Sequence, residues 1–160
     1  MIADATEMIN AAIDWKYGKN SDVPYVTNIE KVSDEAEAAM CEWYINYCNS
    51  GNVNVRSTQI FADAIGYTSK GTCDLNSCAS SIPDGYFGHD VSDYRYFGVY
   101  RGNDECWAEY VTFSFYSTDK QKATIKELLP RTSALMGSKL DGLREYSNNH
   151  CLTFYHYASK

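Results

Sequence analysis

Apolar residues recur at helical spacing from the first residues of the chain. Ala5, Met8, Ile9, Ala12 and Ile13 share one face of a helix over about Asp4 to Tyr17, and Gly18 stands where a left-handed C-cap belongs. Gly18 to Asp22 reads as a turn. Val23 to Ile29 is short and rich in β-formers, and Pro24, which has no amide proton to donate, places it at a sheet edge. Ser33 followed by Asp34 and Glu35 marks a helix start, because a side-chain oxygen and two acids answer the unpaired amides of a first turn. Ala36, Met40, Trp43, Tyr44 and Tyr47 then form a buried stripe ending near Gly51. Thr58 caps a shorter helix through Ile60, Phe61, Ala64 and Ile65, with Gly66 as its stop.

From Tyr67 to Val91 Gly, Ser, Pro and Asp dominate, so 67–91 reads as a long surface loop fastened by its two cysteines. Beyond it the pattern changes to period two. Tyr94 to Arg101 and Cys106 to Tyr116 read as strands joined by the turn "GNDE" at 102–105. In the second, Val111, Phe113 and Phe115 alternate with Thr112 and Ser114 and are expected to face a layer of helices. Ser117, Thr118 and Asp119 cap a helix carrying Ile125, Leu128 and Leu129. Pro130 interrupts it, and Leu135, Met136, Leu140 and Leu143 carry helical character on to about Tyr146. A last strand runs from Cys151 to Ala158. The order predicts an α+β fold over 1–160 as a single domain. It is a two-layer α/β sandwich with a four-stranded antiparallel sheet in split βαβ, ferredoxin-like order, plus an extra N-terminal helix.

Charge and cysteine content narrow the function. Lys plus Arg 14 against Asp plus Glu 21 gives a net charge of -7, which repels phosphate backbones and anionic membranes, so no nucleic acid is expected as a partner. No apolar run approaches the roughly 20 residues of a membrane span. The cysteines are Cys41, Cys48, Cys73, Cys78, Cys106 and Cys151. Zinc sites want two close pairs, redox motifs want two residues between thiols, and neither pattern occurs; no metal and no cofactor is expected. The even count, spread over distant elements, predicts three disulfides. Cys41 and Cys48 lie on one helix about 10 Å apart, too far to pair with each other. Cys73 and Cys78 pair locally or with the helix cysteines.

Histidine is the scarce group. His89, His150 and His156 are the three imidazoles, and "GHD" at 88–90 lies in the loop. His89 and His150 with Glu109 would suit acid/base cleavage of RNA, since one group takes a proton and another gives one. The bland alternative leaves them as surface and strand residues. Aromatic residues offer a different surface: Tyr86 and Phe87 within "DGYFGHD", with Tyr94 and Tyr96 on one strand face, supply contact area at low entropy cost.

The order of elements from Pro24 to Ala158, with Cys41, Cys48, Cys106 and Cys151 at helix and strand starts, resembles the α/β-sandwich killer toxins and related secreted effectors of fungi. That resemblance implies secretion and action by binding a protein or cell-surface target. Met1 to Ala12 has neither the basic start nor the apolar stretch of a secretory signal, so the secreted reading takes the chain as a mature one carrying an initiator Met. A disulfide-stabilised toxin or effector is the leading expectation. A small hydrolase, a nuclease above all, is the second, and an acidic cytoplasmic inhibitor or immunity-type protein the third.

Overall fold

The computed structural model describes residues 1–50, 55–76, 78, 89 and 91–149, and for 55, 56 and 97–101 the backbone alone. Among the described residues six α-helices run in order: α1 (Ile2–Tyr17), α2 (Asp34–Asn49), α3 (Val55–Thr68), α4 (Val91–Tyr116), α5 (Asp119–Leu128) and α6 (Pro130–Asn149). Among the described residues there is no strand, so the α/β sandwich with a four-stranded sheet is corrected to an all-helical fold. The two expected hairpin strands and their "GNDE" turn are one continuous helix, α4. The segment around Pro24 is non-helical and pairs with no strand, and the expected strand 151–158 lies outside the described residues.

The exposure pattern of α4 explains the error. Tyr94 is fully buried while Tyr96 is 83% exposed, although a strand would put both on one face. Gly102, Cys106, Tyr110 and Phe113 are buried at helical spacing, and Phe115, expected to face inward with Phe113, is 61% exposed. The aromatic and β-branched content that suggests strands is a weak bias against packing of this kind.

Local signals hold better at the caps. Gly18 ends α1 at φ 85. Ser33 accepts the Ala36 amide at the start of α2, and Thr118 forms a reciprocal capping box with Gln121 at the start of α5. The expected stop at Gly66 fails: α3 runs past it, and the chain turns at Lys70 and Gly71, both with positive φ.

α3 is the central element. Ser57, Thr58 and every residue from Ile60 to Ser69 are buried, as expected of a helix enclosed on all sides. It packs most extensively on α4 and also touches α5 and α1. Two glycines allow the α3–α4 approach. A Cβ on Gly66 would stand 2.3 Å from the Tyr94 ring, and one on Gly102 2.6 Å from the Tyr67 Cβ.

α6 begins without a local cap, since Pro130 follows Leu129. Its first amides are met instead by buried Asp4 of α1, which accepts from Thr132 N–H (2.8 Å), Arg131 N–H (3.4 Å) and the Thr132 hydroxyl (2.6 Å). No helix among the described residues is long and apolar enough to cross a membrane.

One disulfide joins α2 to the segment after α3, Cys41 to Cys78 with Cα atoms 5.8 Å apart. The staple and its attachment to a helix cysteine match expectation, but three disulfides are not seen among the described residues, where Cys48, Cys73 and Cys106 carry free thiols. Burial pushes the Cys48 thiol up to about 11 and the Cys106 thiol up to about 12. Cys151 lies outside the described residues.

Candidate functional site

Asp63 sits in the middle of α3 at 1% exposure, inside the otherwise apolar run Ile60–Ile65. A buried carboxylate is costly unless donors surround it, and three do. The Tyr94 hydroxyl donates to Asp63 Oδ1 at 2.9 Å, the His89 backbone N–H donates to the same oxygen at 2.7 Å, and His89 Nδ1 lies 3.0 Å from it. The His89 N–H is shared with the Tyr94 oxygen at 2.9 Å, and the His89 carbonyl accepts from the Asn76 amide. Residue 89 is thus held from three sides while its ring keeps 32% of its surface in solvent.

Glu109, from the far half of α4, completes the group. Its carboxylate, the Asp63 carboxylate and a His89 ring nitrogen all lie within 4.8 Å of one another. Burial, then the charge and hydrogen bond of Asp63, then Glu105 push the Glu109 carboxyl up to about 8. Its Oε2 is buried and has no hydrogen-bond partner. The Tyr67 ring stands 5.3 Å from the His89 ring and 4.8 Å from the Tyr94 ring, and its hydroxyl is likewise buried and unpartnered. Tyr67 also lines a cavity of about 910 Å³ whose wall is mostly apolar, with Trp107, Leu135, Met136 and Leu143, and with Thr68 and Lys139 among its few polar groups.

No protein-family profile, curated protein or solved structure matches this chain.

Chemically, Asp63 and His89 form a carboxylate–imidazole pair. With Nδ1–H directed at Asp63, Nε2 is left as a proton acceptor. Of the residues marked from sequence, His89 and Glu109 meet here. His150, Tyr86 and Phe87 lie outside the described residues. Of Tyr94 and Tyr96, whose stripe reads from sequence as either core or contact patch, Tyr94 is interior and supports Asp63, while Tyr96 remains on the surface. Asp63, Tyr67 and Asn76 were not marked. For Asp63 the signal was present: a lone carboxylate flanked by Ile60, Phe61, Ala62, Ala64 and Ile65 has no polar face to occupy, so its burial and need for donors follow from helical geometry.

Proposed function

We propose that the protein is a small hydrolase that activates water at His89. The observation that carries this reading is the fixed Asp63–His89 pair with the Glu109 carboxyl beside it, its ring open to solvent. Nε2 of His89 takes a proton from water, the water oxygen bonds to the scissile acyl or phosphoryl centre, and the leaving group departs with the proton returned from the imidazolium. Asp63 holds the ring tautomer and orientation through that cycle. The adjoining apolar cavity that Tyr67 shares supports a substrate with an apolar portion, and the net charge of -7 weighs against the nuclease form of this reading.

Turnover of a panel of chromogenic carboxylic esters, amides and phosphodiesters is the test. His89→Ala should lower kcat/KM on the accepted substrate by about 100-fold or more. Wild-type rates in that variant would refute the reading.

A second reading, a secreted binding protein of toxin or effector type, draws support from the Cys41–Cys78 disulfide, which suits an oxidising compartment, and from Ile2, Leu135 and Leu143, each more than half exposed beside the cavity. Under it, Leu135→Ser with Leu143→Ser would abolish activity on a target cell while His89→Ala kept it.

A further inference from the structure

Two carboxylates meet in the interior between α3 and α4 with little positive charge to answer them. Asp63 and Glu109 each lack a lysine or arginine partner among the described ion pairs, and the charged neighbours acting on Glu109 are themselves acids, Asp63 and Glu105. The His89 N–H and the Tyr94 hydroxyl already donate to Asp63 Oδ1, which leaves Oδ2 for Glu109 or for an ion. Two buried polar atoms of the same cluster, Glu109 Oε2 and the Tyr67 hydroxyl, have no hydrogen-bond partner, and Tyr67 is 1% exposed.

We propose that Asp63, His89 and Glu109 bind one divalent first-row metal cation, zinc or a close relative, through two carboxylate oxygens and one ring nitrogen. Donor atoms within 4.8 Å of one another need to close by less than about 2 Å to ring an ion with bonds of about 2.0 to 2.2 Å. One nitrogen and two oxygens suit zinc, manganese or cobalt; calcium asks for six to eight oxygens, which this cluster does not have. The surrounding contacts are of the kind that orient metal ligands: the Tyr94 hydroxyl and the His89 N–H fix Asp63, and Asn76 fixes the backbone at His89. Three protein ligands leave a coordination position for water, and the exposed His89 edge gives solvent access to it. The Tyr67 hydroxyl beside the cluster is a ready partner for such a water.

This inference rests on the hydrolase reading for its catalytic consequence. With the ion bound, lowering the pKa of water becomes the work of the metal, and His89 holds the metal in place of taking the proton. Binding itself is tested without turnover. Full-length protein, stripped with chelator, is titrated with Zn²⁺ by calorimetry and with Co²⁺ by visible absorption. Wild type should take up one equivalent. His89→Ala and Glu109→Gln should each weaken binding by on the order of tenfold or more. Glu42→Gln, at a surface carboxylate of α2 paired with Lys16, should bind as wild type. Glu109→Gln keeps the shape of the side chain, so retention of its circular dichroism and melting transition separates lost ligation from lost fold. Equal affinity in wild type and Glu109→Gln, or no uptake by wild type, overturns the metal site. Turnover that persists in excess chelator overturns the catalytic role of the ion and leaves the hydrolase standing; one-equivalent uptake with no turnover on any ester, amide or phosphodiester sinks the hydrolase and leaves the metal site standing.

Discussion

Replacing Glu109 by Gln in chelator-treated protein should stabilise the fold at alkaline pH and leave it nearly unchanged in acid. Glu109 ionises at about 8 in the folded chain against an ordinary value of 4.5, because burial and the Asp63 and Glu105 carboxylates disfavour its charge. The folded state therefore holds a proton that the unfolded state has lost, and stability falls as pH rises from about 4.5 to about 8. Below that window the two states are protonated alike; above it the full penalty is present. At about 1.4 kcal/mol per tenfold in the ionisation constant, the penalty has an upper bound of about 5 kcal/mol. Glu109 keeps part of its surface in solvent, so about 2 kcal/mol is the reasonable magnitude after screening. The amide of the Glu109→Gln variant stays neutral throughout and can donate to Asp63. At roughly 2 to 4 °C per kcal/mol for a chain of this size, the variant should melt about 4 to 8 °C above wild type at pH 8.5. At pH 4 the two should agree within about 1 °C. Thermal melts at both values, followed by circular dichroism, decide the matter. An unchanged or lower Tm at pH 8.5, or an equal gain at pH 4, would refute the reasoning.

Three further outcomes follow from the packing. Mass measurement of denatured, unreduced protein should show a chain about two hydrogens lighter than its reduced form if the Cys41–Cys78 bond is the one that forms, and Cys41→Ser with Cys78→Ser should cost about 3 to 4 kcal/mol in denaturant melts, from closure of a loop with sequence separation 37. Gly102→Ala should destabilise by about 1 to 2 kcal/mol despite its better helix propensity, because its Cβ meets Tyr67 at the root of the side chain, whereas Gly142→Ala, which meets nothing within 4 Å, should gain up to about 1 kcal/mol. Tyr94→Phe should cost about 1 to 3 kcal/mol by removing a donor from buried Asp63; a neutral effect in urea titration would mean that the hydroxyl is dispensable to the cluster.

What the sequence disclosed divides along the range of the interactions involved. α1, α2 and α5 were legible because their ends are written in neighbouring residues: Gly18, Ser33, and Thr118 with Gln121. α4 was not. Its run of Tyr, Phe, Val and Trp favours strands locally, and its buried stripe of Gly102, Cys106, Tyr110 and Phe113 acquires meaning only against α3. The site follows the same division. His89 and Glu109 stood out by residue type, but their meeting depends on Asp63, a residue of a different helix whose apolar flanks on both sides should have marked it as buried. The resemblance to α/β-sandwich toxins rested on an order of elements that the helical structure does not have.

The cap that Asp4 supplies to α6 reaches across 128 positions of sequence. On a ribosome, the first helix emerges long before the last, so α6 is synthesised without the group that completes its first turn and gains it only on docking against α1. Helices in proteins draw most of their stability from tertiary packing. The Asp4 contact should therefore act as a late check on assembly, with α6 protected from hydrogen exchange only after the α1 surface is in place. A ribosome-bound chain with Asp4→Ala would then show an intact early core and a last helix slow to lock.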